Sequence, residues 1–131
     1  MAMRTTYTCT SCSFSVEDWD EGNPYIVGPR GWRYHFYHPG REQQMDAIIL
    51  KVLGYMPDEA EKQAFLEMNS GDETTFLCES CAAVSRIDAT RDRLACKKCR
   101  SPRIKPTHEL EDVACPKCKD GVLKGEPSGI S

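Results

Sequence analysis

The residues of this chain that can do chemistry are cysteines, and all of them lie in Cys-x-x-Cys pairs. The pairs are Cys9 and Cys12, Cys78 and Cys81, Cys96 and Cys99, and Cys115 and Cys118. Two intervening residues allow a tight turn that points both sulfurs at one ion, so each pair is half of a tetrahedral metal site. The eight thiolates predict two complete four-cysteine sites. Soft tetrahedral thiolate sets favour zinc, with iron as the less favoured ion.

The polypeptide around these pairs offers only a thin apolar core. The chain has 131 residues and a mass of 14.8 kDa, with 40% hydrophobic and 8% aromatic residues. Bound metal must then supply much of the folding energy, and a structural zinc site is worth about 10 kcal/mol or more. We expect a small zinc-stabilised α+β fold with β-hairpins and an inserted pair of helices.

Cysteine usage and hydropathy also indicate the cellular compartment in which the protein is expected. No stretch approaches the roughly 20 apolar residues of a membrane span, and the first residues lack the apolar core of a secretory signal. We therefore expect a cytoplasmic protein without a membrane partner. A reducing compartment favours metal-bound thiolates over disulfides, which are the alternative interpretation of the cysteine pairs.

The first third of the chain predicts strands. Phe14 and Val16 alternate with serines after the first cysteine pair, which is the pattern of a half-buried strand. The acidic run 17–21 around Trp19 predicts a solvated turn, and the alternative is an acidic, aromatic contact surface for a basic partner. Residues 25–38 predict a hairpin that turns at 28–31. Its histidines are predicted to be structural or surface residues, because the cysteines already fill both sites.

The middle of the chain has helical periodicity. One apolar stripe, which Gly54 ends, consists of Met45, Ile48, Ile49, Val52 and Leu53. A second helix is predicted to open at Pro57 with acidic residues in its first turn. Its predicted apolar side consists of Ala60, Ala64, Phe65 and Met68. The short link between the stripes indicates an antiparallel helix pair that packs on the hairpin. The alternative is that part of the stripe is a docking face or a dimer seam.

The chain is predicted to divide near residue 74. Residues 1–74 would hold the first knuckle, the aromatic hairpin and the helix pair, and residues 75–131 a zinc-ribbon region. One compact unit is expected, in which the N-terminal knuckle joins the C-terminal one. Residues 121–125 predict a last short strand, and the polar residues 126–131 predict a loose tail.

Charge is unevenly distributed along the sequence. Residues 1–77 carry twelve acidic and six basic side chains, whereas residues 78–131 carry eight acidic and eleven basic ones. The basic patch consists of Arg86, Arg91, Arg93, Lys97, Lys98, Arg100, Arg103 and Lys105. A net charge of −3 argues against general nucleic-acid binding, but this patch keeps nucleic acid as a possible partner.

Three segments resemble rubredoxin-like zinc ribbons. They are FLCESCAAV, LACKKCRSPRI and ACPKCKDGVL, which contain the second, third and fourth cysteine pairs. Such ribbons typically place glycine after the knuckle, whereas Ala82, Arg100 and Lys119 stand there in this chain. The departure predicts a different turn geometry. The resemblance covers about a third of the chain and indicates a superfamily, not a function.

The resemblance implies a nested pairing of the cysteines. One ion would be held by Cys78, Cys81, Cys96 and Cys99. The other would be held by Cys9, Cys12, Cys115 and Cys118. Two further arrangements stay open, because cysteine spacing alone does not define connectivity. In the sequential one, the first pair joins the second and the third joins the fourth; in the crossed one, the first pair joins the third.

These features favour an interaction protein over an enzyme. A catalytic zinc keeps an open coordination position, whereas sites with four cysteine ligands are closed, and no phosphate loop or catalytic triad motif is present. We expect no small-molecule substrate. The leading hypothesis is an adaptor or inhibitory module that binds a protein partner. Its expected contact residues are Trp19, Trp32, Tyr34 and Tyr37, since aromatic side chains are common interface anchors. The alternatives are nucleic-acid binding through the basic patch and rubredoxin-like electron transfer by iron.

Overall fold

The computed structural model describes residues 2–130 of the chain and divides it into two compact units. Unit 1 comprises Met1–Gly22 and Thr74–Ser131, and unit 2 comprises Asn23–Glu73. The elements within residues 2–130 are, in chain order, β1 (Met3–Cys9), β2 (Ser15–Trp19), β3 (Asn23–Val27), β4 (Arg33–His35), α1 (Arg41–Leu53), α2 (Glu59–Asn69), β5 (Ser70–Cys78), β6 (Val84–Ile87), β7 (Ile104–Pro106) and β8 (Leu123–Ile130). The class is therefore α+β with antiparallel sheets.

Unit 1 joins the two ends of the chain in one antiparallel sheet, with strand order β2-β1-β8. Cys9 at the end of β1 is paired with Leu123 at the start of β8. The prediction of a loose tail is wrong for the described residues, because β8 extends to Ile130 along β1. Side chains add to this pairing, since Arg4 and Thr6 both hydrogen-bond to Ser128.

The acidic run is also strand rather than turn. Residues 17–19 belong to β2, where Glu17 is paired with Thr6 of β1. Alternation places Val16 and Asp18 on one face of β2 and Glu17 on the other. Glu17 is exposed to solvent, whereas the half-buried Asp18 accepts a hydrogen bond from the Thr107 hydroxyl at 2.6 Å. The turn comes later, around Gly22, which has a φ of 71°.

The second half of β5 forms the other strand pairs of unit 1. Phe76 is paired with Ser85 of β6 on one side and with Pro106 of β7 on the other. The core of this unit contains the buried side chains of Tyr7, Cys9, Val16, Leu77, Leu110, Cys115 and Leu123. Two of these are cysteines, so the core of unit 1 is continuous with its sulfur cluster.

Unit 2 contains the predicted hairpin and the predicted helix pair. Strand β3 lies between β4 and the first residues of β5, with Ile26 opposite Tyr34 and Ser70. The helices cover this sheet through a cluster of Ile26, Phe36, Ile49, Met45, Ile48, Leu53, Phe65 and Leu66. Gly54, at a φ of 83°, ends α1 as predicted. Asp58 caps α2 by accepting a hydrogen bond from the Glu61 N–H at 2.8 Å.

The predicted apolar side of α2 is wrong in three of its four residues. Ala60, Ala64 and Met68 are exposed, and Met68 is 81% exposed. The helix instead turns Phe65 and Leu66 into the cluster. Phe65 and Leu66 bury more apolar surface than Ala60, Ala64 and Met68 would, although the spacing of both sets fits a helix. The buried apolar area therefore determines which face of α2 packs against the core.

Candidate metal centres

The first sulfur cluster lies in unit 1, where the chain ends meet. Cys9 ends β1, Cys12 follows in the turn before β2, and Cys115 and Cys118 lie in the loop before β8. Two sulfur–sulfur distances are short, 3.6 Å from Cys9 to Cys118 and 3.7 Å from Cys12 to Cys115. We call this group tetrad 1.

The second sulfur cluster, tetrad 2, lies in the same unit. Cys78 ends β5, Cys81 lies between β5 and β6, and Cys96 and Cys99 lie between β6 and β7. The sulfurs of Cys78 and Cys99 are 3.6 Å apart, as are those of Cys81 and Cys96. The four pairs therefore come together in the nested arrangement, and not in the sequential or the crossed one.

Both tetrads have the dimensions of a tetrahedral metal site. Thiolates about 2.3 Å from a zinc ion lie about 3.8 Å apart along each edge of the tetrahedron. The short distances in the two tetrads are 3.6 to 3.7 Å, and all four sulfurs of each group lie within 4.8 Å of one another. A disulfide needs about 2.05 Å, and all eight cysteines are free. The tetrads can hold two metal ions and are consistent with zinc-ribbon-like sites.

The backbone of each knuckle directs N–H groups at sulfur. In all four knuckles the N–H two residues after the first cysteine lies 3.3 to 3.4 Å from that cysteine's sulfur; the donors are Ser11, Ser80, Lys98 and Lys117. Such donors stabilise negative charge on sulfur. The two-residue spacing predicted from the sequence thus produces thiolate-stabilising turns.

After three of the knuckles, a residue other than glycine adopts the left-handed backbone conformation. Ala82, Arg100 and Lys119 have φ values of 66°, 65° and 67°. Each donates its N–H to the carbonyl oxygen of the first cysteine of its knuckle, at 3.0, 2.8 and 3.1 Å. The expectation of a different turn geometry is therefore wrong for these positions, and the backbone accepts the strain of an L-residue in this region.

Tetrad 1 also depends on a glycine. A Cβ atom on Gly121 would lie 2.6 Å from the sulfur of Cys9 and 2.9 Å from the backbone nitrogen of Ser11. Since the Cys115 N–H donates to the Gly121 carbonyl oxygen at 2.9 Å, the backbone at this position is held close to the sulfurs. Only glycine leaves room for the loop to close over the first knuckle.

The metal-free thiols do not all ionise together. The N–H of Cys99, followed by that of Lys98, lowers the pKa of Cys96 to about 6. The Ser101 N–H lowers the pKa of Cys99, but burial and the three neighbouring thiols together raise it to about 12.

Tetrad 1 behaves in the same way. The N–H groups of Gly121 and Asp120 lower the pKa of Cys118 to about 7. The Phe14 N–H lowers the pKa of Cys12, but burial and the other thiols of the tetrad raise it to about 12. Four thiolates so close together need a cation, so each tetrad retains protons that a metal ion would displace.

The two tetrads differ in exposure and in charge. In tetrad 2 Cys99 is exposed, whereas no cysteine of tetrad 1 is more than partly exposed. The predicted basic patch lies in unit 1 and in the segments that build tetrad 2, and seven of its eight side chains are exposed; Lys105 is half-buried. Lys97 and Lys98 lie inside the third knuckle itself. The basic residues therefore lie along the stretch of chain that includes the third knuckle.

The four predicted contact aromatics have different environments. Trp32 is 66% exposed in unit 2, while Trp19 is 37% exposed in unit 1 and lies under the guanidinium of Arg4, 5.7 Å away. Tyr34 and Tyr37 are half-buried. The Tyr37 hydroxyl donates to Asn23 Oδ1 at 3.0 Å, and the Lys51 ammonium lies 5.1 Å from the Tyr34 ring. Trp32 is the most exposed of the four.

A buried carboxylate in unit 2 was not foreseen as a site residue. Glu73 is 4% exposed. Its Oε2 accepts from Arg33 Nη1 at 2.6 Å and its Oε1 lies 2.5 Å from His35 Nε2. Strand alternation in β4 places Arg33 and His35 on one face, but only the pairing of β3 with β5 brings Glu73 to them. Because both carboxylate oxygens have partners, we interpret this cluster as structural.

Fold and sites together define an α+β protein with two four-cysteine clusters suited to metal. The chain matches no protein-family model, no curated protein and no solved structure. Within the described part of the chain, neither helix has the length and apolar character needed to cross a membrane.

Proposed function

We propose that the protein is a non-catalytic, cytoplasmic zinc protein that binds a protein partner, and that its two ions are structural and stabilise unit 1. The observation that carries this proposal is the pair of closed tetrads. Each offers four thiols at tetrahedral spacing, so a bound ion has no open position for water or substrate. An ion so enclosed contributes folding free energy and not catalysis.

Zinc is the ion we propose, with iron as the competing choice for the same ligands. Ferric thiolate sites are coloured and redox-active, whereas zinc has no redox chemistry and its sites are colourless. Elemental analysis of protein purified without added metal should give two zinc ions per chain and no visible absorption. A red preparation with iron would instead support electron transfer.

Trp32 is the residue we propose as the main anchor for the partner. A hydrogen-bonded turn holds its backbone: the Gly28 N–H donates to the Trp32 carbonyl oxygen at 2.7 Å, and the Trp32 N–H donates to the Pro29 carbonyl oxygen at 3.4 Å. The side chain is nevertheless 66% exposed. A large aromatic on a rigid support loses little entropy on binding, which is the usual character of an interface anchor.

The proposal is tested by purifying the tagged chain from its native host and identifying what accompanies it in stoichiometric amount. A protein partner should be present with the wild type and reduced at least about tenfold with Trp32→Ala, the loss expected for an anchor residue. Leu94→Ala is the matched control, since Leu94 is a 51% exposed apolar residue of unit 1. The absence of any stoichiometric protein would contradict the proposal.

Nucleic-acid binding is a second candidate because seven of the eight side chains of the basic patch are exposed. Titration of fluorescent DNA and RNA should show binding that weakens steeply with salt, as phosphate contacts do. Lys98→Glu should weaken it strongly. Lys117→Glu is the control, because Lys117 occupies the same place in its knuckle but belongs to tetrad 1. Absence of binding at low salt would exclude this candidate.

A further inference from the structure

Helix α2 has an apolar face that is separate from the one it packs with. Met56, Ala60, Ala64 and Met68 follow one another at intervals of four residues, so they line one side of the helix and its approach. All four are exposed, Met56 by 47% and Met68 by 81%. We call these four residues the α2 apolar face.

Helix α2 is attached to unit 2 by residues outside the α2 apolar face. Phe65 and Leu66 attach the helix to the core of unit 2. The N-terminus is closed by the Asp58 cap, and the Ser70 hydroxyl hydrogen-bonds to the Leu66 carbonyl oxygen at the other end. The α2 apolar face therefore does not contribute to the core of its own unit.

The border of the α2 apolar face is acidic. The acidic residues in and next to α2 are Asp58, Glu59, Glu61 and Glu67, and all four are exposed. The single basic residue of the helix, Lys62, is paired with Asp46 of α1 at 2.7 Å. Glu61 accepts a hydrogen bond from the Tyr55 hydroxyl at 2.5 Å, which holds a half-exposed ring beside the first turn. The face thus combines apolar side chains with a border that carries more acidic than basic side chains.

We propose that the α2 apolar face is the docking site for a basic amphipathic helix of the protein partner. This inference rests on the proposed function and specifies its partner. The two alanines allow another helix to approach closely, and the terminal methionines adapt to the shape of its side chains. Lysines or arginines that flank the partner's apolar stripe would lie against the acidic border, which supplies electrostatic complementarity.

A second copy of this chain fits the face less well. Two α2 helices packed through these residues would bring two acidic borders together, and like charges across an interface are unfavourable. Charge therefore favours a basic segment over self-association through α2.

The test uses the full zinc-loaded chain and a synthetic 18-residue helical peptide with leucines at i, i+3, i+4 and i+7 and lysines on either side. Fluorescence anisotropy should show saturable binding, and amide NMR shifts should concentrate in residues 55–69. A scrambled peptide of the same composition should bind the wild-type chain at least about tenfold more weakly than the designed peptide does. The Ala64→Arg variant should bind the designed peptide at least about tenfold more weakly than the wild type does. Gln43→Arg is the matched control, since it adds the same charge at an exposed position of α1.

Three outcomes would overturn the inference. The first is equal binding of the designed and scrambled peptides, and the second is equal binding by wild type and Ala64→Arg with metal content and circular dichroism unchanged. The third is a concentration-dependent dimer that Ala64→Arg abolishes, which would make a second copy the occupant. Partner co-purification with the Ala64→Arg variant separates the two proposals: a partner retained at wild-type level refutes this docking site and leaves the proposed function standing.

Discussion

Replacing Ala82 by glycine should stabilise unit 1, whereas the same change at the next residue should destabilise it. Ala82 has a φ of 66°, and an L-residue in this region is disfavoured by about 1–2 kcal/mol. Glycine relieves this strain but loses about 0.5–1 kcal/mol more backbone entropy on folding. The net expectation for Ala82→Gly is a gain of about 0.5–1 kcal/mol in the free energy of unfolding.

Ala83 provides the matched control for this substitution. It is not among the residues with positive φ, and its carbonyl oxygen accepts from the Cys78 N–H at 2.9 Å. Ala83→Gly therefore relieves no strain and should cost about 0.5–1 kcal/mol. The two variants differ by one position and should change stability in opposite directions.

The assay is chelator competition at fixed pH. If metal binding and folding of unit 1 are linked, Ala82→Gly should raise the apparent zinc affinity about two- to fivefold and Ala83→Gly should lower it by a similar factor. Equal losses in both variants would refute the assignment of a strained left-handed turn after the second knuckle.

Three further predictions concern the tetrads and the buried carboxylate. Gly121→Ala should lower the zinc content from two ions toward one, because the added methyl group would lie 2.6 Å from the Cys9 sulfur. Gly129→Ala should keep both ions, because the nearest atoms to its methyl group would belong to the Arg4 side chain, at 3.3 Å. Two ions in both variants would contradict the packing argument. Glu73→Gln should reduce the free energy of unfolding of unit 2 by about 2 kcal/mol or more in urea titration, because it removes the buried negative charge that the Arg33 guanidinium contacts at 2.6 Å. An unchanged unfolding midpoint would show the cluster to be dispensable. Apparent zinc affinity should rise at least about tenfold per pH unit between pH 7 and 9. Each tetrad has one thiol whose pKa is about 12, and the ion must displace the proton of that thiol. A zinc affinity that does not change with pH would mean that the thiols are already ionised together.

Local spacing was enough to foresee the knuckles and both helices. The Cys-x-x-Cys pairs produce turns with N–H groups directed at sulfur, and Gly54 ends α1 where its pattern stops. These features depend on neighbours within about one turn of chain, which a sequence shows directly.

Features that depend on distant pairing were not predictable in the same way. The last strand was predicted at 121–125, but its continuation through the polar residues 126–130 was not, because that part of β8 is held by pairing with β1, more than 100 residues away. The orientation of α2 was decided by which side chains could bury more area against β3 and α1, so Met68 faces solvent although its spacing fits the predicted stripe. Glu73 reaches Arg33 only through the register of two strands.

Knuckle spacing alone did not determine which cysteine pairs share a site. Tetrad 1 joins residues more than 100 positions apart, and loop-closure entropy penalises such a separation only slightly more than a short one. The nested arrangement follows from the β1–β8 pairing, which brings Cys9 beside Leu123 and hence near the fourth knuckle.

Native mass spectrometry of the chain, purified under reducing conditions without added metal, shows directly whether the two tetrads hold zinc. We expect one dominant species that carries two zinc ions with all eight thiols in the reduced state. A metal-free folded species, a species that has lost two hydrogens for each cysteine pair through disulfide formation, or a species that carries iron would contradict it.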